Sequence, residues 1–207
     1  MVETATQAIK RYDDAAPRWG DKMRTLGYYD AYLGFLSEPA AFVLSKERVI
    51  DVGAGTGAFA EAWIAVHGAP SELTLLEPSS VMLTRARAAL DRRGVEPRIA
   101  QSILGETELE PSDVVLAAHV IEHCPDPLNA LRQMRDLLVP GGQLRLVVSK
   151  PHWCNVIIWL QWRHRTFQRD EIVTLVEQAG FDIDQVYSFP SGPPSRTSRG
   201  IAATRRN

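Results

Sequence analysis

From Arg48 onward the chain alternates short apolar runs with segments of helical period, and this alternation narrows the possible folds more than any other feature. RVIDV, ELTLLE, VEPRIAQ, DVVLAAHV and QLRLVVS read as buried strands bounded by turn residues, the third weakened by Pro97. Helical patterns separate them. One runs from about Ala58 to His67 with Gly68 as its stop, and a second follows Ser79 or Ser80 and stops at Gly94. A third has Asp126 placed to cap it and Pro127 in its first position. A late helix, RDEIVTLVEQAG, precedes two last strands, FDIDQVYSF and roughly RGIAATR. Only PSGPPSRTS lies between those two, with no helix, so they are expected to pair as an antiparallel hairpin. Helical crossovers elsewhere imply parallel pairing. The expected architecture is α/β and doubly wound: a mostly parallel seven-stranded sheet, one antiparallel strand near the C-terminus, and helices on both faces.

Composition sets the outer bounds. With 207 residues and 45% hydrophobic content the chain suits one domain with a sizeable core. A formal net charge of -2 gives no general attraction to nucleic acid or anionic lipid. Cys124 and Cys154 stand apart, offering neither a zinc-ligand spacing nor a disulfide framework, and no metal is expected. No apolar run approaches the length of a membrane span, and MVETATQAIKRYDDAAPRW lacks the apolar stretch of an export signal. The expectation is a cytoplasmic protein with no membrane partner.

The chemistry is announced by VIDVGAGTGAFAEAWIA, Val49 to Ala65. In a doubly wound sheet the first strand-to-helix turn borders the ligand crevice. Glycines there tolerate positive φ and let the main chain approach a ligand. A P-loop is excluded because no Gly-Lys-Ser/Thr follows. Gly53, Gly55 and Ala58 satisfy the tolerant dinucleotide fingerprint, and Glu77 closes the second strand where a ribose-binding acid belongs. From these residues alone, any nucleoside with free ribose hydroxyls would serve.

Asp51, Gly53, Gly55 and Gly57 together resemble motif I, D/E-x-G-x-G-x-G, of the class I S-adenosylmethionine-dependent methyltransferases. The resemblance extends through most of the chain from about Tyr12. LLEPS is similar to that family's second motif. DVVLAAHVIEHCPDP resembles the fourth-strand segment of the ubiquinone-biosynthesis-like (methyltransferase type 11) subgroup, and LLVPGGQLRL its turn into the fifth strand. HRTFQRDEIVTLVEQAGF is similar to its late helix and the start of the sixth strand. The resemblance implies a Rossmann-like fold and S-adenosylmethionine as cofactor, with S-adenosylhomocysteine as product. It implies that the turn, Asp51, Gly53, Ala54, Gly55 and Gly57, holds the amino-acid tail, with Asp51 toward its ammonium. It also implies that Glu77 and Pro78 meet the ribose and that Ala118 borders the cofactor. Many relatives carry an acid after the third strand to read adenine. Here Gln101 and Ser102 stand instead, leaving Ser102, backbone or packing for that contact.

Four segments follow from the same resemblance within a single domain. Residues 1–47 form a helical lid in which Tyr12 and Trp19 fold over the cofactor, and residues 48–150 form the cofactor-binding core. Residues 151–168 roof the acceptor site, and residues 169–207 carry the last helix and strand pair. Methyl transfer needs an acceptor aligned behind an electrophilic methyl group and, for a protonated acceptor, a base. His119, at the end of the fourth strand, is the candidate base or acceptor-orienting group, and His152 is a second candidate. His123 is expected to be structural, Glu122 to face solvent or a local partner, and His67 to suit its helix dipole as a cation. Trp153, Trp159 and Trp162 could wall a pocket for an aromatic or lipophilic acceptor, or instead pack as an amphipathic helix on the sheet or in a homodimer. Arg165 is placed to meet an acceptor carboxylate.

The expected activity is therefore methyl transfer to a small organic acceptor. Two other readings share the glycine turn: an NAD(P)-dependent oxidoreductase, and a non-catalytic S-adenosylmethionine-binding protein. A nucleic-acid methyltransferase should show an Asn/Asp-Pro-Pro-aromatic motif after the fourth strand, where AAHVIEHCPDP stands instead, so no nucleic-acid partner is expected.

Overall fold

The computed structural model describes residues 20–38, 47–152 and 165–207. The strands, in chain order, are β1 (Arg48–Val52), β2 (Glu72–Leu76), β3 (Arg98–Ala100), β4 (Ser112–Ala118), β5 (Leu138–Ser149), β6 (Phe181–Tyr187) and β7 (Ser198–Arg205). They form one sheet in the order β3-β2-β1-β4-β5-β7-β6. The first five pair in parallel, and β7 runs antiparallel to both β5 and β6. Strand order reverses between β1 and β4, so the ligand crevice of such a fold opens at their carboxyl ends.

The helices are α1 (Tyr28–Leu36), α2 (Ala58–His67), α3 (Ser80–Asp91), α4 (Pro127–Asp136), α5 (Arg169–Gln178) and α6 (Gly192–Thr197). Their ends follow local chemistry. Ser79 caps α3 by accepting from the Met82 N–H, and Asp126 caps α4 by accepting from the Asn129 N–H, with Pro127 just inside. Gln168 and Glu171 form a reciprocal capping box on α5. The apolar alternation of the strands then divides the core in two. Val49, Leu73, Leu75, Val114 and Leu116 pack against α1, α2 and α3 on one face. Ile50, Val52, Val115, Leu144 and Leu146 pack against α4 and α5 on the other.

Two details differ from the sequence reading. PSGPPSRTS is not a plain connection, because Gly192–Thr197 forms a short helix. Pro193 and Pro194 have the fixed φ of a first helical turn, and the Ser195 and Thr197 hydroxyls bond back to the Gly192 and Pro193 carbonyls. The fifth strand also begins earlier. Leu138 pairs with Ser112, and pairing resumes at Gln143 with Val114, so the Pro-Gly-Gly segment bulges out of the ladder.

Candidate active site

The turn after β1 takes a left-handed backbone at each glycine, with φ of 63° at Gly53, 53° at Gly55 and 83° at Gly57. Gly53 is also crowded: a Cβ there would lie 2.6 Å from Val120 Cγ2. Gly53→Ala therefore combines about 1–2 kcal/mol of backbone strain with about 1–3 kcal/mol of overpacking. The expected outcome is a melting temperature lowered by roughly 5–15 °C, measured by differential scanning calorimetry.

Glu77 is not a solvated strand-end acid. It is buried, and both its oxygens accept from main-chain donors, Oε2 from the Gly55 N–H at 3.0 Å and Oε1 from the Ser79 N–H at 2.9 Å. A carboxylate so held keeps lone pairs for further donors, as paired sugar hydroxyls would be. Pro78 is half-buried beside it, and its carbonyl accepts from the Gln101 side chain at 3.4 Å. Ser102, beyond β3, has its hydroxyl 3.4 Å from the Ile103 carbonyl.

Asp51 is 1% exposed, on the face of β1 that carries Val49. It accepts a backbone hydrogen bond from Ala60 in the first turn of α2. Its Oδ2 is buried with no hydrogen-bond partner among the described residues. Burial, and secondarily the Glu77 charge, push its carboxyl from 3.8 up to about 8 against that one hydrogen bond. Asp51 thus caps a helix with one arm and leaves the other unsatisfied. An orphaned buried acceptor beside three positive-φ glycines suits an ammonium group, and the residues present fit the amino-acid tail of S-adenosylmethionine.

Across the switch point, β4 ends at Ala118, which is half-buried, and the chain turns at His119. His119 has φ 59°, the one non-glycine residue in the left-handed region among those described. Its N–H donates to the Val147 carbonyl at 2.8 Å. Its Nδ1 lies 3.2 Å from Glu122 Oε1 and 3.1 Å from Ser149 Oγ, and its Nε2 is buried with no partner among the described residues. Tyr28 of α1 packs edge-on against the ring at 5.7 Å, its hydroxyl 2.8 Å from Thr197 Oγ1. Tyr32, one turn along, packs on Phe59 at 4.8 Å. Burial, then the neighbouring Tyr28, Asp51 and Glu122, push the Tyr32 hydroxyl up, so α1 links the Asp51 side of the crevice to the His119 side.

Of the two expectations for Glu122, solvent or a local partner, the structure bears out the second: its partner is His119, three residues back. Glu122 is 5% exposed, and its Oε1 accepts from the Ser149 N–H at 2.6 Å. Burial alone would raise its carboxyl. The hydrogen bond and charge of His119, and the charge of His123, outweigh that and hold it below the usual range. His123 is exposed, and its N–H donates to the Val120 carbonyl. Burial lowers the His67 ring toward its neutral form, with Arg145 adding to the effect, and it stacks on Trp63 at 4.1 Å, so a dipole-matched cation does not describe it. Arg165 donates to Glu171 at 2.8 Å, which meets its charge at the start of α5. His152 is half-buried just beyond β5. Tyr12, Trp19, Trp153, Trp159 and Trp162 lie outside the described residues. Sequence reading missed Tyr32, Ser149 and Thr197; none carries a motif, and only the packing of α1, β5 and α6 brings them together around Tyr28 and His119.

The methyltransferase domain family matches residues 50–144, from β1 through the first half of β5. A ubiquinone biosynthesis O-methyltransferase of Aliivibrio fischeri is 32% identical over 143 residues, which cover 66% of this chain and 59% of that protein. Among solved structures, a possible histamine N-methyltransferase of Thermotoga maritima superposes with a TM-score of 0.72 at 19% identity, covering 96% of this chain and all of that one. The magnesium protoporphyrin IX methyltransferase of Synechocystis, solved with S-adenosylmethionine bound, gives 0.66 at 17% identity, covering 87% and 79%. The fold and the matched domain are those of the class I S-adenosylmethionine-dependent methyltransferases. Residues 50–144 carry the methyltransferase domain, and the chain spans 59% of the length of the A. fischeri protein it resembles. The oxidoreductase reading of the glycine turn is set aside. Among the described residues no helix is long and apolar enough to cross a membrane.

Proposed function

We propose that the protein transfers a methyl group from S-adenosylmethionine to a hydroxyl of a small, preferably aromatic, organic acceptor in the crevice between the glycine turn and His119. The observation that carries this reading is the unsatisfied buried oxygen of Asp51 beside the positive-φ turn, with the fully oriented Glu77 carboxylate closing the other side. When bound, S-adenosylmethionine supplies a sulfonium-activated methyl group that needs no metal. Asp51 would hold the ammonium, Gly53, Ala54, Gly55 and Gly57 would present backbone to the tail, and Glu77 would take the ribose hydroxyls. Ser102 and Pro78 would border the adenosine, and Ala118 the reacting end.

His119 would take the acceptor's proton through Nε2, its unpartnered nitrogen. Tyr28 packs against its ring and Tyr32 against Tyr28, an aromatic side that would suit a flat acceptor. The O-methyltransferase relative supports oxygen as the atom methylated.

Thermal unfolding with S-adenosylmethionine, S-adenosylhomocysteine, NAD and NADP in parallel tests the cofactor. The two adenosyl sulfur compounds, at about 100 times their dissociation constants, should each stabilise by about 2.7 kcal/mol, and the dinucleotides should not. For the base, His119→Ala should cut labelled-methyl transfer to a panel of catechols and hydroxybenzoates by roughly 100-fold or more, with S-adenosylmethionine affinity unchanged. Wild-type turnover in that variant would remove His119 from the chemistry.

A further inference from the structure

We infer that Glu122 is a positioning residue which, with Ser149, fixes the His119 imidazole in the tautomer that keeps its proton on Nδ1 and its lone pair on Nε2. This rests on the proposal that His119 serves as the base, and it adds to that proposal what makes the ring competent.

Two groups meet Nδ1, and of these the carboxylate is the stronger acceptor. Glu122 Oε1 receives the Ser149 N–H at 2.6 Å, an arrangement that favours an ionised carboxylate. An ionised carboxylate can only accept. His119 Nδ1, 3.2 Å from that same oxygen, must therefore be the donor, and the lone pair falls on Nε2. Ser149 closes the arrangement from β5, its hydroxyl 3.1 Å from Nδ1 and its N–H on the carboxylate. The ring is held from the other side by the Tyr28 edge. The backbone shares in this aim: a left-handed residue is uncommon outside glycine, and here it turns His119 off the end of β4 toward Glu122 three residues on. Other titratable groups around the pair are Tyr28 and Tyr32 from α1, Asp51 from β1, and His123 and Cys124 beside Glu122.

In the reaction, Nε2 takes the acceptor's hydroxyl proton as the acceptor oxygen bonds the methyl carbon, and the sulfur keeps the electron pair of the broken C–S bond. The imidazolium so formed lies against the Glu122 carboxylate, which balances its charge until the proton leaves to solvent. Glu122 itself stays ionised throughout.

Glu122→Gln tests this, because the amide oxygen can still accept from the Ser149 N–H and from Nδ1 while the charge is lost. The first readout is nitrogen NMR of histidine-labelled protein without ligand. Wild-type His119 should show the Nδ1–H tautomer when neutral, and Glu122→Gln, which lacks the charge facing Nδ1, should show a larger Nε2–H share. The second readout is kcat/KM against pH with catechol as acceptor. Its plateau should fall at least about tenfold, with S-adenosylmethionine affinity unchanged.

An Nε2–H tautomer in the wild type, or an unchanged tautomer ratio in the variant, overturns the inference. The wild-type tautomer decides the matter even if Glu122→Gln does not fold. Should His119→Ala retain full turnover while the tautomers behave as described, the positioning stands and the base assignment fails.

Discussion

Asp51→Asn should raise the stability of the ligand-free protein at pH 8 while abolishing its stabilisation by S-adenosylmethionine. The Asp51 carboxyl is moved by burial from 3.8 to about 8, so the folded state disfavours its ionised form. A raised folded value contributes stability that is complete below the unfolded value and is lost as pH rises through the folded one. Between about pH 4 and pH 8 the aspartate therefore makes the empty protein progressively less stable, by a few kcal/mol in all. Asparagine removes that slope and can still accept from Ala60 through its amide oxygen. It cannot balance an ammonium. Denaturant melts across pH 5–9, with and without S-adenosylmethionine, give both halves of the result. The same linkage predicts that binding near pH 7 releases close to one proton, because an ammonium beside Oδ2 restores the ionised form. Calorimetric titration in buffers of different ionisation enthalpy counts that proton. A flat stability profile in the variant and the wild type alike, with no proton released, would remove Asp51 from the tail-binding role.

Glu77→Ala should weaken S-adenosylmethionine by roughly 100- to 10,000-fold, since two hydrogen bonds to a charged acceptor are worth about 1.5–3 kcal/mol each. The structure adds a second effect. Glu77 accepts from the Gly55 and Ser79 main chain, so its removal leaves two N–H groups of the crevice without their acceptor. The ligand-free protein should accordingly lose about 1–3 kcal/mol, and the glycine turn should exchange its amide hydrogens faster. Glu77→Gln separates the two effects only in part, because its NH₂ must face one of those N–H donors. Isothermal titration together with hydrogen exchange on the same variants reads binding and turn order independently. Unchanged affinity in Glu77→Ala would detach this residue from the ribose.

The two halves of the site were not equally legible. Gly53, Gly55 and Gly57 are readable because successive left-handed positions favour glycine, and Glu77 because it closes an apolar strand. Helix caps at Ser79 and Asp126 are local as well, each completed within three residues of the chain. The His119 side is different. His119 and Glu122 are visible as residue types, but whether the glutamate faces water or the imidazole depends on Ser149, 27 residues further on, arriving beside it on β5. The left-handed φ of His119 has no sequence signal, since no glycine marks it. The short helix at Gly192–Thr197 is too brief for a helical period to show in the sequence.

The sequence by itself determined the element order, the parallel sheet with its reversed last strand, and the glycine turn with its two acids. These rest on periodicity, on conformational limits of single residues, and on contacts within a few positions of the chain. Only the tertiary structure decided which groups are buried, and burial is what gives them their chemistry. Asp51 is an ordinary carboxylate in the chain and a strongly raised one beneath α2. Glu122, in a buried place that would raise it, is held ionised by a ring and a main-chain donor that the β4–β5 pairing delivers. Desolvation and long-range hydrogen bonding act between segments far apart in sequence, so they exist only once the sheet has assembled.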